Sequence, residues 1–254
     1  MAQAGVGTSG WPLLQQDPGP WPAALAASAG EGRGIAGVLS NPALLGGESP
    51  AEVVALGERG IGKSNLGGIL AAMTLKGGRA GTLAAGAVYY SAGDAEVTWF
   101  DAVTRQEQTK TVSAQQDLVA TAAYGRPFLG RLWFGAALKG GWSRLAETVS
   151  TRVLAVDIGA RWRSPVPQGL TGFGVVRNLG VASTVVSEGD RLPLAAVVGA
   201  SYTRPFGIWQ GTLAQTGTFL VPESRLIGDA AVEFGIEWLR VFGGYHFGRD
   251  TAGA

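Results

Sequence analysis

Apolar and polar positions alternate along this chain with a period of two. In Ala231-Val-Glu-Phe-Gly-Ile-Glu-Trp-Leu239, Val232, Phe234, Ile236 and Trp238 interleave with Ala231, Glu233, Gly235 and Glu237. A strand with that spacing carries one greasy face and one small or polar face. The pattern returns in Leu132/Phe134/Ala136/Leu138 against Gly135/Ala137/Lys139/Gly141, and in Leu154/Val156/Ile158/Ala160/Trp162 against Asp157/Gly159/Arg161/Arg163. It predicts about a dozen strands, near residues 51–58, 64–76, 81–92, 96–104, 113–125, 131–143, 148–164, 169–179, 194–204, 209–220, 228–238 and 239–248. Turn signals separate several of them, among them Lys76-Gly-Gly78, Ser91-Ala-Gly-Asp94, Ser164-Pro-Val-Pro-Gln-Gly169 and Pro222-Glu-Ser224. Residues 1–50 read differently. Pro12, Pro18, Pro20 and Pro22 exclude long regular elements there, while Trp11, Leu13, Leu14 and Trp21 want burial. The expectation is an irregular plug segment over 1–50, packed inside or beneath a sheet structure of 51–254.

Composition says which two environments such a sheet separates. Only 15% of the 254 residues are charged, against roughly 25% in an ordinary soluble domain. The chain also holds 41 Gly and 8 Trp. Few charges with many Gly and aromatics favour an antiparallel transmembrane β-barrel, in which outward residues meet lipid and inward ones a polar lumen. No run approaches the about 18 apolar residues of a spanning helix; the longest candidate, Leu66 to Leu75, is interrupted by Gly67 and Gly68. The chain begins Met-Ala-Gln-Ala-Gly without a basic or apolar leader, so an exported barrel is expected here in processed or trimmed form.

Candidate chemistry changes this picture little. Lys and Arg are scattered around a net charge of +1, which gives no footprint for nucleic acid. Zero Cys and a single His246 leave no thiolate metal site and little for zinc or a catalytic triad; His246 is expected on the polar side of a late strand. Gly57-Glu-Arg-Gly-Ile-Gly-Lys-Ser64 matches the phosphate-cradling pattern of P-loop NTPases, with Lys63 on the phosphates, Ser64 on magnesium and Asp157 as the distant acidic residue. Such a loop needs a helix starting at Lys63, and Asn65-Leu-Gly-Gly-Ile69 is a poor first turn. The segment is expected to be a tight turn between the first two strands. Glu233 and Glu237, four apart on one strand face, would stand about 13 Å from each other, too far for a glycosidase pair. They are read as lumen-facing charges with Asp157, Arg161 and Arg163. Trp99, Trp133, Trp142, Trp162, Trp209 and Trp238 are expected on the apolar side as interface anchors. No enzyme, cofactor or metal is expected.

Several motifs then make the chain resemble a known family. Asn41-Pro-Ala-Leu-Leu45, Gly81-Thr-Leu-Ala-Ala-Gly-Ala-Val-Tyr-Tyr-Ser-Ala-Gly-Asp94, Val156-Asp-Ile-Gly-Ala-Arg-Trp162, Gly174-Val-Val-Arg-Asn-Leu-Gly180, Leu192-Pro-Leu-Ala-Ala-Val-Val-Gly-Ala-Ser-Tyr202 and Phe234-Gly-Ile-Glu-Trp-Leu-Arg-Val-Phe-Gly-Gly-Tyr245 resemble the PorV/PorQ family. They stand in the family's order over roughly residues 35 to 250. The resemblance implies a FadL-like barrel of the bacterial outer membrane with nominally fourteen antiparallel strands, and an N-terminal segment whose Asn41-Pro42-Ala43 motif enters the lumen. With Leu13, Leu14 and Trp21 these residues are the plug or gate candidates. The resemblance further implies a carrier that docks secreted or envelope proteins in type IX secretion, or, through the wider FadL likeness, a transporter of a hydrophobic small molecule. A scaffold for a larger envelope complex is the third reading. Where the family runs on through final strands, this sequence stops at Thr251-Ala-Gly-Ala254, so either the chain is a fragment or the barrel closes with fewer strands.

Overall fold

The computed structural model describes residues 11–15, 35–45, 50–60, 64–75, 80–101, 105–183 and 191–248. Trp21 and Lys63 lie outside them. The described strands are β1 (Ala51–Arg59), β2 (Asn65–Thr74), β3 (Thr82–Ser91), β4 (Asp94–Asp101), β5 (Gln106–Ser113), β6 (Gln115–Phe128), β7 (Leu132–Leu145), β8 (Val149–Arg163), β9 (Leu170–Ala182), β10 (Ala195–Phe206), β11 (Trp209–Leu220), β12 (Arg225–Gly235) and β13 (Arg240–Phe247). Eleven form one sheet in the order β1-β2-β3-β6-β7-β8-β9-β10-β11-β12-β13, and β4 pairs only with β5. Every ladder is antiparallel. The fold is therefore mostly β, as expected. The sheet has eleven strands rather than fourteen, and no described ladder joins β1 to β13.

Connections differ between the two ends of the sheet. Residues 129–131, 207–208 and 236–239 close tight turns at one end, together with 164–169. Leu129 and Gly130 both take left-handed φ, +50° and +67°, the hand that matches the twist of adjoining strands. The opposite end carries short turns at 146–148 and 221–224 and, beyond them, the β4–β5 hairpin. The first is called here the short-turn end and the second the hairpin end.

Alternation sorts residues onto two faces. Leu138, Leu154, Ile158, Val198, Leu213, Val232 and Phe234 are exposed on one, the open face. Ala137, Lys139, Val153, Ala155, Asp157, Val175, Val197, Ala214, Ala231 and Glu233 are buried on the other, the covered face. The N-terminal segment accounts for much of that burial. Three short 3-10 turns, Pro12–Leu14, Ile35–Leu39 and Pro42–Leu44, lie against the sheet, and Trp11, Leu13, Leu14, Ile35, Val38 and Leu39 join one apolar cluster with Leu66, Leu70, Val88, Val119 and Val153. Proline and glycine spacing had excluded long elements in this region, and the described parts contain none.

Two expectations are corrected. The strand expected over 228–238 ends at Gly235, because Ile236 N–H donates to the Leu239 carbonyl across a turn (2.8 Å). The alternation of Ile236 and Trp238 runs past the end of the ladder, so Glu237 is exposed in that turn and does not line the covered face. The polar stretch from Asp94 to Ser113 is a two-stranded hairpin, where only a strand at 96–104 was expected. The segment after Ser64, by contrast, is strand β2 as expected, paired with β1 from Arg59↔Asn65 onward. The helix that a phosphate loop requires is absent there, and Gly60 N–H donates to the Ser64 carbonyl (2.9 Å) across a turn between two strands.

Candidate functional site

The Asn41-Pro42-Ala43 turn rests on a shelf made of glycine. Gly125, Gly135 and Gly159 stand side by side on β6, β7 and β8, through the pairs Gly125↔Gly135 and Gly135↔Gly159. All three present their missing side chain to the N-terminal segment. A Cβ on Gly135 would fall 2.2 Å from the Pro42 carbonyl carbon, one on Gly159 2.1 Å from Asn41 Oδ1, and one on Gly125 2.5 Å from the Leu45 carbonyl oxygen. On β6 and β7 backbone thus meets backbone, and on β8 it meets the Asn41 side chain, with no room for a methyl group. Asn41 caps its own turn, with Oδ1 accepting the Ala43 N–H at 2.9 Å, and Pro42 at the first helical position suits that start. Asn41 and Ala43 are fully buried.

Deeper along the same face sits a buried polar clasp. Lys139 Nζ on β7 lies 2.6 Å from Asp157 Oδ2 on β8, with both side chains almost completely buried. Lys139 also donates to Asn178 Oδ1 at 3.3 Å, and the Asn178 N–H donates to Asp157 Oδ1 at 2.7 Å. Asn178 is brought inward by a bulge: β8 and β9 slip register around Asp157, and Asn178 takes a left-handed φ of +59°, which asparagine tolerates better than most residues. Its amide then donates to the carbonyls of Leu14 (3.2 Å) and Pro193 (3.1 Å). One side chain fastens the N-terminal segment, the wall and the segment entering β10. A pair so buried costs its desolvation, which the mutual attraction of the two charges and the hydrogen bonds to Asn178 offset.

The sequence-derived charges fall as follows. Asp157 lies on the covered face, and its counter-charge is Lys139 on the neighbouring strand rather than Arg161 or Arg163 on its own. Those two arginines share its face and instead cover Trp133, with guanidinium carbons 4.7 Å and 5.0 Å from the ring centre. Trp133, expected on the apolar side, is therefore on the covered face. Glu233 is buried and pairs with Arg240 at 2.5 Å, and His246 Nδ1 meets Asp229 Oδ1 at 2.5 Å. Leu13 and Leu14 are buried against the sheet beside the clasp, and Asn41, Pro42 and Ala43 form the shelf contact. Lys139, Asn178 and the three glycines were not singled out from the sequence. The one available signal was Lys139 alone among Gly and Ala on the small face of its strand.

The open face carries the complementary feature. From Leu132 to Trp142 every second residue of β7 is apolar, and Arg144 follows; on β8, Arg152 precedes Leu154, Val156, Ile158, Ala160 and Trp162. Trp162, Trp209 and Phe234 stand exposed among them, with Trp209 stacked on Phe234 at 5.0 Å. Among the described residues no group of His, Cys, Asp and Glu is placed to hold a metal ion, and no helix is long and apolar enough to cross a membrane. No protein-family model matches the chain, and a comparison with curated proteins finds no match either.

Proposed function

We propose that the chain is a non-enzymatic β-barrel of a bacterial outer membrane, of the PorV/PorQ type, which binds or shuttles secreted or envelope proteins at the cell surface. The observation that carries this reading is the polarity of the sheet, apolar on its exposed face, with buried charges such as Lys139, Asp157 and Glu233 set among small apolar residues on its covered one. On β7 the apolar belt from Leu132 to Trp142 extends about 34 Å along the strand. With a strand tilt of about 40° it rises about 26 Å, against the roughly 25 Å apolar band of outer-membrane barrels. A soluble monomer rarely exposes a continuous apolar patch beyond a few hundred Å². Short turns mark the periplasmic side of such barrels and longer connections the outer side, which puts the β4–β5 hairpin outward, where a protein partner would meet it.

Docking is favoured over conduction by the glycine shelf. A segment packed directly on the glycine backbone of three strands is poorly suited to leave on every transport cycle. Two measurements test the reading. In vesicles containing brominated lipid, the fluorescence of Trp142 and Trp162 is quenched if the belt meets acyl chains; no quenching of the folded chain overturns the membrane assignment. A pull-down from the native envelope, with analysis of both proteins and extracted lipids, then tests the role. Stoichiometric secreted or envelope proteins support docking, whereas a bound hydrophobic small molecule without protein partners replaces it by transport.

A further inference from the structure

We propose that the covered face carries, at the short-turn end, a binding site for an acidic, extended segment of a partner protein, built from Trp133, Arg161, Arg163 and Arg131. It stands on the inward side of the sheet alone, and does not depend on whether the open face meets lipid.

The location comes from register. Beyond the glycine shelf, the next inward-facing row toward the short-turn end holds Trp133 opposite Arg161. The row after it holds Arg163, whose backbone N–H donates to the Arg131 carbonyl at 2.8 Å. The Asn41-Pro42-Ala43 turn is thus one row away, and whatever occupies these arginines abuts it. Trp133 orients the pair: both guanidinium groups lie over its ring, an attraction worth more as water is excluded. Neither Arg131 nor Arg163 pairs with a carboxylate among the described residues, and both are exposed. Arg161 has further contacts within the chain and stands beside Arg163 over the same ring.

Charge at this end is one-sided. The described residues there include Arg126, Arg131, Arg161, Arg163, Arg204 and Arg240, against Glu52, Glu233 and Glu237. Two of those carboxylates are engaged, Glu233 with Arg240 and Glu52 with the Ile35 N–H at 3.1 Å; Glu237 sits in the β12–β13 turn. A chain of net charge +1 has therefore concentrated cations at one mouth. The face then separates two kinds of anion. Arg126 and Arg204 alternate onto the open face, whereas Arg161 and Arg163 point inward, away from any surrounding surface, and receive their ligand from solution.

Spacing selects the ligand. Arg161 and Arg163 are two residues apart on a strand, about 6.7 Å, which is also the separation of carboxylates at alternate positions of an extended peptide. Guanidinium forks held flat by an indole are arranged for planar, bidentate carboxylates. A peptide with acidic residues at every second position matches two arginines at once and leaves Arg131 to take a third carboxylate or a chain carbonyl.

The test uses the full chain in a non-ionic detergent and three probes: a blocked heptapeptide alternating Gly and Asp, its isomer with the Asp residues contiguous, and inorganic phosphate. Calorimetric titration should show the alternating peptide binding tightest. R163Q and R131Q should each weaken it about tenfold, the scale of one charge-assisted hydrogen bond, while R126Q and R204Q on the open face leave it unchanged. Equal affinity for the contiguous isomer or for phosphate overturns the extended-segment assignment. Equal losses in R126Q and R204Q reduce the site to a diffuse field, and no saturable binding removes it altogether.

Discussion

Gly135→Ala tests whether the N-terminal segment is held by the shelf. The new Cβ would lie 2.2 Å from the Pro42 carbonyl carbon, 2.3 Å from its oxygen and 2.5 Å from the Ala43 nitrogen. Ordinary contact begins near 3.4 Å, so the turn must retreat by about 1.2 Å, and all three opposing atoms are backbone, with no rotamer to relieve them. Overpacking of this kind costs about 1–3 kcal/mol, which raises the population of the detached segment roughly 5- to 150-fold. The same strand supplies its own control. Gly140 faces open space, with nothing within 4 Å of its added Cβ, so Gly140→Ala should change stability by less than about 0.5 kcal/mol. Hydrogen exchange at the Leu44 and Leu45 amides, which donate to the Asn41 and Pro42 carbonyls, reads the detachment directly. Faster exchange there, with β10–β12 amides unchanged, is the expected result. If Gly135→Ala exchanges no faster than Gly140→Ala, the shelf does not hold the segment and the docking argument built on it fails.

Lys139→Met leaves Asp157 buried without its counter-charge, and should lower stability by about 3–5 kcal/mol in urea titration; a smaller loss in Lys139→Met/Asp157→Leu would show that the penalty comes from the orphaned charge. Asn178→Gly keeps the left-handed backbone while deleting the side chain's hydrogen bonds, each worth about 1 kcal/mol. Asn178→Ala should be worse by a further 1–2 kcal/mol or so, and equal unfolding midpoints for the two would refute the strain assigned to φ. At the base of the β4–β5 hairpin, the hydrogen bond from Lys110 holds the Glu147 carboxyl below its ordinary value of 4.5, helped by the Ser113 N–H and the Lys110 charge. A lowered carboxylate pKa stabilises above the ordinary value and loses that contribution as pH falls through the folded one. Hairpin amide exchange should therefore accelerate on acidification below about pH 4.5, and Lys110→Met should flatten that dependence.

Much of the wall was legible because its code is local. In β7 and β8 the period of two separates Phe134, Leu138, Leu154 and Ile158 from Gly135, Lys139, Asp157 and Gly159 without reference to any other strand. Where local code and pairing part company, the reading failed. Ile236 and Trp238 keep the alternation through a turn, so nothing in the sequence announces that the ladder stops at Gly235. Strand β5, Gln-Glu-Gln-Thr-Lys-Thr-Val-Ser, has almost no apolar face to detect. The clasp was illegible for another reason: Lys139, Asp157 and Asn178 sit on three strands, and only register brings them together. At Val175-Val176-Arg177-Asn178-Leu179 the alternation does skip a beat, with Arg177 and Asn178 both buried, which is the trace a bulge leaves in sequence. Gly125, Gly135 and Gly159 are likewise ordinary glycines until pairing lines them up.

The strand count has an arithmetic of its own. In a ring whose neighbours all run opposite ways, directions must alternate around the full circuit, and only an even number can do so. Eleven successive antiparallel strands send β1 and β13 travelling the same way, from the short-turn end to the hairpin end. The two margins therefore cannot zip to each other without one parallel seam. Any segments that complete an alternating circuit must be odd in number, and those set beside β1 and β13 must begin their passage at the hairpin end.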